Sequence, residues 1–134
     1  MIVVDTNVIA YLYLSGEYSD LSERLLERDP DWMAPRLWRS EFRNVLALYL
    51  RKELMGFQDS LEILEEVERL MSDSEFEVPS ALVMQLAGES GCSAYDCEFI
   101  ALARYFRVPL ATNDNALLKA FPDTAQSVHS IMNS

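Results

Sequence analysis

Short apolar runs alternate with longer amphipathic segments along the chain. Ile2–Val4 is a β-branched run of the kind that fills a buried strand. Similar short runs predict strands at residues 31–35, 76–78 and 108–112, with a last edge strand at 126–128. Between them, apolar residues at three- and four-residue steps predict helices over residues 8–14, 19–28, 40–52, 61–71, 80–88, 94–106 and 115–121. Because short strands alternate with longer helices, we predict an α/β fold with a parallel sheet.

The length and composition fit one globular domain covering residues 1–134. Half of the 134 residues are hydrophobic, and no linker or repeat interrupts the pattern. No apolar run approaches the roughly 20 residues of a membrane span, so we expect no membrane association. Met1–Asp5 lacks the basic region of a secretory signal, and two cysteines with one histidine are too few for a zinc site. We therefore expect a cytoplasmic protein with reduced thiols.

Four acidic residues stand where a strand ends or a helix begins. Asp5 follows the first strand, Glu41 opens the 40–52 helix, Asp96 lies three residues after Ser93, and Asp114 follows the 108–112 strand. Each has an ordinary structural explanation as a helix cap or a first-turn acid. Since the carboxyl ends of parallel strands share one edge of a sheet, these acids can also meet there.

A cluster of carboxylates has a definite chemistry. Several carboxylates cannot all ionise in one cleft without countercharge, because each raises the pKa of its neighbours. Hard oxygen ligands suit Mg²⁺ or Mn²⁺, and such a site supports phosphodiester hydrolysis. Alternatives are poorly supported: His129 is the only imidazole and lies near the end of the chain, and there is no phosphate-binding glycine loop.

The sequence resembles the PIN-domain nucleases, particularly the small stand-alone members that act as VapC-type toxins. Four segments carry the resemblance in order, and each contains one of the four acids. They are Val3-Val4-Asp5-Thr6-Asn7, Ser40-Glu41-Phe42-Arg43-Asn44-Val45-Leu46, Tyr95-Asp96-Cys97-Glu98-Phe99-Ile100-Ala101 and Thr112-Asn113-Asp114. The resemblance covers nearly the whole chain and implies a three-layer fold, with a short central parallel sheet between helices.

The resemblance also implies an activity and a set of roles. It implies a metal-dependent endoribonuclease in which Asp5, Glu41, Asp96 and Asp114 surround Mg²⁺ or Mn²⁺. Asp5 and Asp96 would be the most direct ligands, with Glu41 and Asp114 completing the pocket. Three neighbouring residues would steady the site by hydrogen bonding: Thr6, Asn7 and Thr112.

The same resemblance implies protein partners. A cognate antitoxin would hold the enzyme inactive, and the chain would pair as a homodimer through helices. Several apolar residues suit such an interface, although they suit the core equally well. They are Trp38, Phe42, Tyr49, Leu54, Met55 and Phe57.

The charge distribution bears on the substrate. With 22 acidic against 11 basic residues the net charge is −11, which by itself argues against binding nucleic acid. Residues 53–77, however, hold nine acids and one base, whereas residues 36–52 hold five bases and one acid, Glu41. Attraction of phosphate can therefore be local, and we predict that Arg36, Arg39 and Arg43 contact it.

Two other functions stay open on the sequence alone. A related fold could cleave single-stranded or flap DNA instead of RNA. Alternatively, the chain could be a non-catalytic binding module in which the four acids only cap helices.

Overall fold

Five short strands form one parallel sheet in the computed structural model, which describes residues 1–134. The strand order is β3-β2-β1-β4-β5, and every neighbouring pair is parallel. The strands are β1 (Ile2–Val4), β2 (Trp32–Pro35), β3 (Glu75–Phe76), β4 (Leu110–Ala111) and β5 (Ala125–Gln126). The predicted α/β architecture with a short central parallel sheet flanked by helices is confirmed.

Eight helices connect and flank the strands. They are α1 (Thr6–Tyr13), α2 (Ser19–Arg28), α3 (Trp38–Arg51), α4 (Phe57–Met71), α5 (Ser80–Ser90), α6 (Ala94–Phe106), α7 (Asn115–Ala120) and α8 (Val128–Met132). None of them combines the length and the apolar character that crossing a bilayer requires. Helix α6 packs against β1, β2 and β4, so it lies across the middle of the sheet.

Strands β2 and β3 lie on one side of β1, whereas β4 and β5 lie on the other side. The direction in which successive strands are added to the sheet therefore reverses between β1 and β4. Val3 pairs with Leu110 and Val4 with Ala111, so these two strands end side by side. In open parallel sheets a ligand crevice forms beyond the carboxyl ends of the strands at such a reversal. The chain leaves β1 at Asp5 and β4 at Thr112, so the register brings these two residues to that crevice.

All of the predicted helices and strands are present, although several begin or end at other residues than predicted. Helix α4, for example, begins at Phe57, four residues earlier than predicted. Helix α1 begins at Thr6, two residues earlier than predicted, because Asp5 already takes the extended N-cap conformation. The last strand is shorter than predicted and stops at Gln126. Residues 128–132 form α8 instead, since the Ser127 hydroxyl accepts a hydrogen bond from the Ser130 N–H and caps a new helix. His129 therefore lies on an exposed helix rather than on a strand edge.

Some residues assigned to a possible dimer interface belong to the core. Trp38 and Phe42 are fully buried, and their rings pack edge to face at 5.9 Å. Tyr49 and Met55 are half-buried and pack against the core. Leu54 and Phe57, by contrast, are 64% and 68% exposed. The alternative reading of these residues as core thus holds for the first four, and only the last two remain available for an interface.

This contrast predicts the effect of two phenylalanine substitutions. We expect Phe42→Ala to lower the free energy of unfolding by about 3–5 kcal/mol, because truncating a buried phenylalanine leaves a cavity. Phe57→Ala should change it by no more than about 0.5 kcal/mol, as is usual at exposed positions. Urea unfolding of both variants measures the difference. Equal losses would show that Phe57 is buried in solution, as it would be in a dimer.

Candidate active site

The four acids singled out from the sequence line one cavity. Asp5, Glu41, Asp96 and Asp114 come from four different parts of the chain and surround a space of about 220 Å³. Four other residues complete its wall: Thr6, Asn7, Asn44 and Val45. We call this space the acidic cavity. No lysine, arginine or histidine lines it, so the carboxylates have no countercharge within the cavity wall.

Asp5 is held where β1 and β4 end. Its N–H donates to the carbonyl oxygen of Ala111, and the Thr112 hydroxyl donates to its Oδ2 atom at 2.7 Å. Asp5 occupies the N-cap position of α1, yet its side chain makes no capping hydrogen bond. Its carboxylate is therefore directed to Thr112 and the cavity, which the cap explanation does not account for.

Glu41 is tied to α1 although it belongs to the first turn of α3. The Thr6 hydroxyl donates to Glu41 Oε1 at 2.7 Å, joining residues 35 positions apart in the sequence. The second oxygen, Oε2, accepts no hydrogen bond from the protein. Thr6 and Thr112 thus act alike, since each donates its hydroxyl to one carboxylate of the cavity.

Asp96 and Asp114 both stand at helix N-termini. The Ser93 hydroxyl accepts a hydrogen bond from the Asp96 N–H, so Ser93 is the cap of α6 and Asp96 lies in its first turn. Asp114 caps α7, because its Oδ1 atom accepts from the N–H groups of Ala116 and Leu117. The cap explanation is correct for Asp114, but its Oδ2 atom accepts no hydrogen bond. One residue therefore both starts α7 and lines the cavity.

The acidic cavity raises the pKa of three carboxyl groups. Burial is the main reason that the pKa of Asp5 lies above its ordinary value of 3.8, and the charges of Asp96 and Asp114 raise it further. The Thr112 hydrogen bond acts in the opposite direction. Burial likewise raises the pKa of Glu41 and of Asp96, and neighbouring carboxylates add to both. No neighbouring cation opposes these increases in pKa.

The donor set suits a hard divalent cation with part of its hydration shell. No group of three or more acidic, histidine or cysteine side chains is arranged to hold a metal ion directly. Mg²⁺, however, typically binds through one or two carboxylates and keeps several waters. All of the polar side chains lining the cavity offer oxygen atoms, and uncompensated carboxylates surround it, so the residues fit such an ion.

The three arginines predicted to contact phosphate occupy different surroundings. Arg39 is bound by Glu75 through two hydrogen bonds of 2.6 and 3.1 Å, and by Glu68 at 3.2 Å. Its guanidinium therefore joins α3 to β3 and α4. Arg36 is exposed and lies 4.0 Å from Glu77. Arg43 is exposed and forms no ion pair, which leaves it with the greatest freedom to move toward a ligand.

Two residues of the cavity wall were not predicted as site residues. Asn44 and Val45 lie three and four positions after Glu41 in α3, which places them on the same helix face. That spacing could have identified both residues as members of the site. Glu98 was also missed: it lies two residues after Asp96, and its charge raises the pKa of Glu41.

Comparisons with known proteins find one matching family, one relative by sequence and several proteins of similar fold. The sequence model of the family described as PIN domain matches residues 2–122. Ribonuclease VapC3 of Pyrobaculum aerophilum is 30% identical over 125 residues, covering 90% of this chain and 95% of that protein. FitAcB from Neisseria gonorrhoeae has a TM-score of 0.76 at 18% identity, covering 96% of this chain and 99% of that chain. PAE2754 from Pyrobaculum aerophilum has a TM-score of 0.76 at 20% identity, covering 98% of this chain and 86% of that chain.

The raised carboxyl pKa values predict a pH dependence of stability in the absence of divalent metal. A carboxyl group with a higher pKa in the folded protein stabilises the fold while protonated, and this contribution is lost as pH rises through the folded pKa. The contribution of these groups to stability should therefore fall as pH rises above the ordinary carboxyl pKa values of 3.8 and 4.5 and through their raised pKa values in the folded protein. Asp5→Asn removes one such group but keeps an oxygen for Thr112, so we expect it to flatten this fall and to be more stable than the wild type at neutral pH.

Urea unfolding across this pH range, with a chelator present, measures the effect. Glu62→Gln is the matched control, because Glu62 is an exposed acid on α4 outside the cavity. We expect this control to follow the wild-type pH profile. Parallel profiles for Asp5→Asn and the wild type would show that Asp5 does not carry the predicted proton linkage.

Proposed function

The chain belongs to the PIN domain family, and we propose that it is a metal-dependent endoribonuclease that hydrolyses RNA phosphodiester bonds. The observation that carries the proposal is the convergence of Asp5, Glu41, Asp96 and Asp114 on one cavity without countercharge. Similarity to a protein named as a ribonuclease favours RNA over DNA as the substrate. The proposal takes residues 1–134 as a single nuclease domain.

In this proposal the residues of the cavity have different roles. Asp5 and Asp96 would hold the metal most directly, and Glu41 and Asp114 would complete the pocket, through water or at a second metal. Thr112 and Thr6 fix the rotamers of Asp5 and Glu41 by donating to one oxygen of each. Asn7 lies on the cavity wall one residue after Thr6 and supports the site from α1.

A bound Mg²⁺ or Mn²⁺ would supply Lewis-acid chemistry, lowering the pKa of water and offsetting negative charge on the leaving oxygen. The carboxylates themselves cannot attract a phosphodiester, because both carry negative charge. The fixed side chains instead define where the scissile phosphate can approach, which is the open side of the cavity. Arg43 is the proposed phosphate contact nearest to the cavity in sequence, one position before the cavity residue Asn44. Arg36 is a second candidate, and Arg39 could join only by leaving its ion pairs with Glu75 and Glu68.

We also propose partners for the protein. The relation to a VapC ribonuclease supports a toxin of a toxin–antitoxin pair, with a cognate antitoxin that covers the acidic cavity. A homodimer would cover the exposed apolar residues at the junction of α3 and α4, among them Leu54 and Phe57. Both cysteines are free thiols, in keeping with a cytoplasmic protein.

RNA cleavage tests this function. We expect the purified protein to cleave single-stranded RNA with Mg²⁺ or Mn²⁺ and to stop when a chelator is added. Asp5→Asn and Asp96→Asn should each lower the rate by more than about 100-fold, the upper range for losing a partner that only orients a metal ligand. Cleavage of labelled RNA oligonucleotides, separated by length, measures the rates.

Controls separate this function from the two alternatives. Glu62→Gln should cleave at the wild-type rate, since its carboxylate lies outside the cavity. Faster cleavage of matched DNA than of RNA would replace RNA by DNA as the substrate. If neither is cleaved and amides at all four acids leave Mn²⁺ binding unchanged, the chain is a non-catalytic binding module.

A further inference from the structure

A second groove adjoins the acidic cavity and shares Asp96 with it. This groove has a volume of about 600 Å³ and lies between the turn that joins α5 to α6 and one face of α7. Its wall consists of Ser90, Gly91, Cys92, Ser93, Asp96, Ala116, Lys119 and Ala120. We call it the Lys119 groove. Asp96 lines both spaces, so the groove and the acidic cavity meet at this residue.

The two spaces are also joined through α7. Asp114 lines the acidic cavity and caps α7, accepting from the N–H groups of Ala116 and Leu117. Ala116, Lys119 and Ala120 lie at steps of three and four along α7, so they share one face, the face that forms the groove wall. The position of Lys119 is therefore fixed relative to the acidic cavity by a site residue.

The chemistry of the Lys119 groove suits a sugar–phosphate backbone. Lys119 is exposed and forms no ion pair, and it is the only basic residue of the groove. The only acid is Asp96, which already belongs to the acidic cavity. Serines, alanines and a glycine make up most of the remaining wall, and these small side chains leave the groove open. In a chain with a net charge of −11, this groove presents an unpaired lysine to phosphate, with Asp96 as the one acid in its wall.

Another large groove beside α6, lined in part by Arg36 and Glu98, differs in each of these respects. It has a volume of about 480 Å³, and five of its nine lining residues are hydrophobic. Its charged residues are Arg36, Glu77 and Glu98, with Glu77 lying 4.0 Å from Arg36. The two carboxylates outnumber the single guanidinium, so this groove disfavours a polyanion. Of the two grooves, only the Lys119 groove combines access to the acidic cavity with an unpaired cation.

We propose that the Lys119 groove binds the single-stranded RNA on one side of the scissile phosphate, with Lys119 contacting a backbone phosphate. This inference rests on the proposed RNA cleavage and adds the path that the substrate takes. Lys119 is a positioning residue, since it lies on α7 outside the acidic cavity. It contacts the RNA backbone rather than a base, so its contribution to RNA affinity should be independent of the RNA sequence and sensitive to salt concentration.

Binding measurements on charge variants test the groove. We use a fluorescently labelled pool of single-stranded RNA of random sequence, with Asp5→Asn as the background so that the RNA stays intact. Lys119→Gln should lower the steepness of log affinity against log salt by about 0.7, the value for one phosphate contact on a single strand. Lys119→Arg should restore it. Arg107→Gln is the charge-matched control, because Arg107 is exposed, unpaired and lies at the opposite end of α6 from Asp96.

Cys92 offers a second measurement at the groove itself. Cys92 is partly exposed and lines the groove, whereas Cys97 is buried, so a thiol-alkylating reagent should modify Cys92 selectively. Saturating RNA should slow this alkylation severalfold in the Asp5→Asn protein. In the Asp5→Asn protein carrying Lys119→Gln, the same RNA concentration should protect Cys92 less.

The outcomes distinguish this inference from the proposed function. Equal salt dependence for Lys119→Gln and Arg107→Gln, with Cys92 unprotected, would overturn the groove assignment even if the wild type cleaves RNA. RNA binding with the expected Lys119 effects but no cleavage by the wild type would uphold the groove and reject the nuclease. RNA that neither binds nor is cleaved would reject both.

Discussion

The constraint on which the site depends is the mutual repulsion of carboxylates held together with no basic side chain in the cavity wall. Asp5, Glu41 and Asp96 have raised pKa values mainly because they are buried, and their neighbours' charges add to the shift. Such a group can persist only if the surrounding fold fixes each member. Here the register of β1 and β4 places Asp5, and the packing of α6 across the sheet places Asp96. The sheet and the helix packed on it therefore hold these carboxylates in place despite their mutual repulsion.

Hydroxyl groups perform the fine positioning because they bind a carboxylate without neutralising it. Thr112 donates to Asp5 and Thr6 donates to Glu41, both at 2.7 Å. A lysine or arginine in either place would cancel the negative charge that attracts a cation. Asp114 solves the same problem differently, since backbone N–H groups of α7 hold one of its oxygens and leave the other free. Each of these contacts orients an acid while preserving the electrostatic demand for a divalent ion.

Much of the fold and the identity of the acids could be predicted from the sequence, because period and strand order are local and general properties. The β-branched Ile2–Val4 run and the apolar stripe of α3 follow directly from their spacing. Spacing alone could not decide between two roles that suit the same residue. Trp38 and Phe42 suit an interface and a core equally, and only three-dimensional packing makes them core. Spacing likewise could not show that Arg39, which was predicted to contact phosphate, binds Glu75, 36 residues away in the sequence.

The net charge of −11 takes on a different meaning once its distribution is known. Many of the acidic residues lie on α4 and around β3. Some of their charge is neutralised by ion pairs within the protein, as where Glu75 and Glu68 bind Arg39. What matters to a polyanionic substrate is the charge along its own path, and the Lys119 groove contains one lysine and no acid besides Asp96. An acidic surface elsewhere repels nucleic acid from the wrong faces of the molecule. The same surplus of negative charge that weakens non-specific binding would then favour approach along the one groove that leads to the acidic cavity.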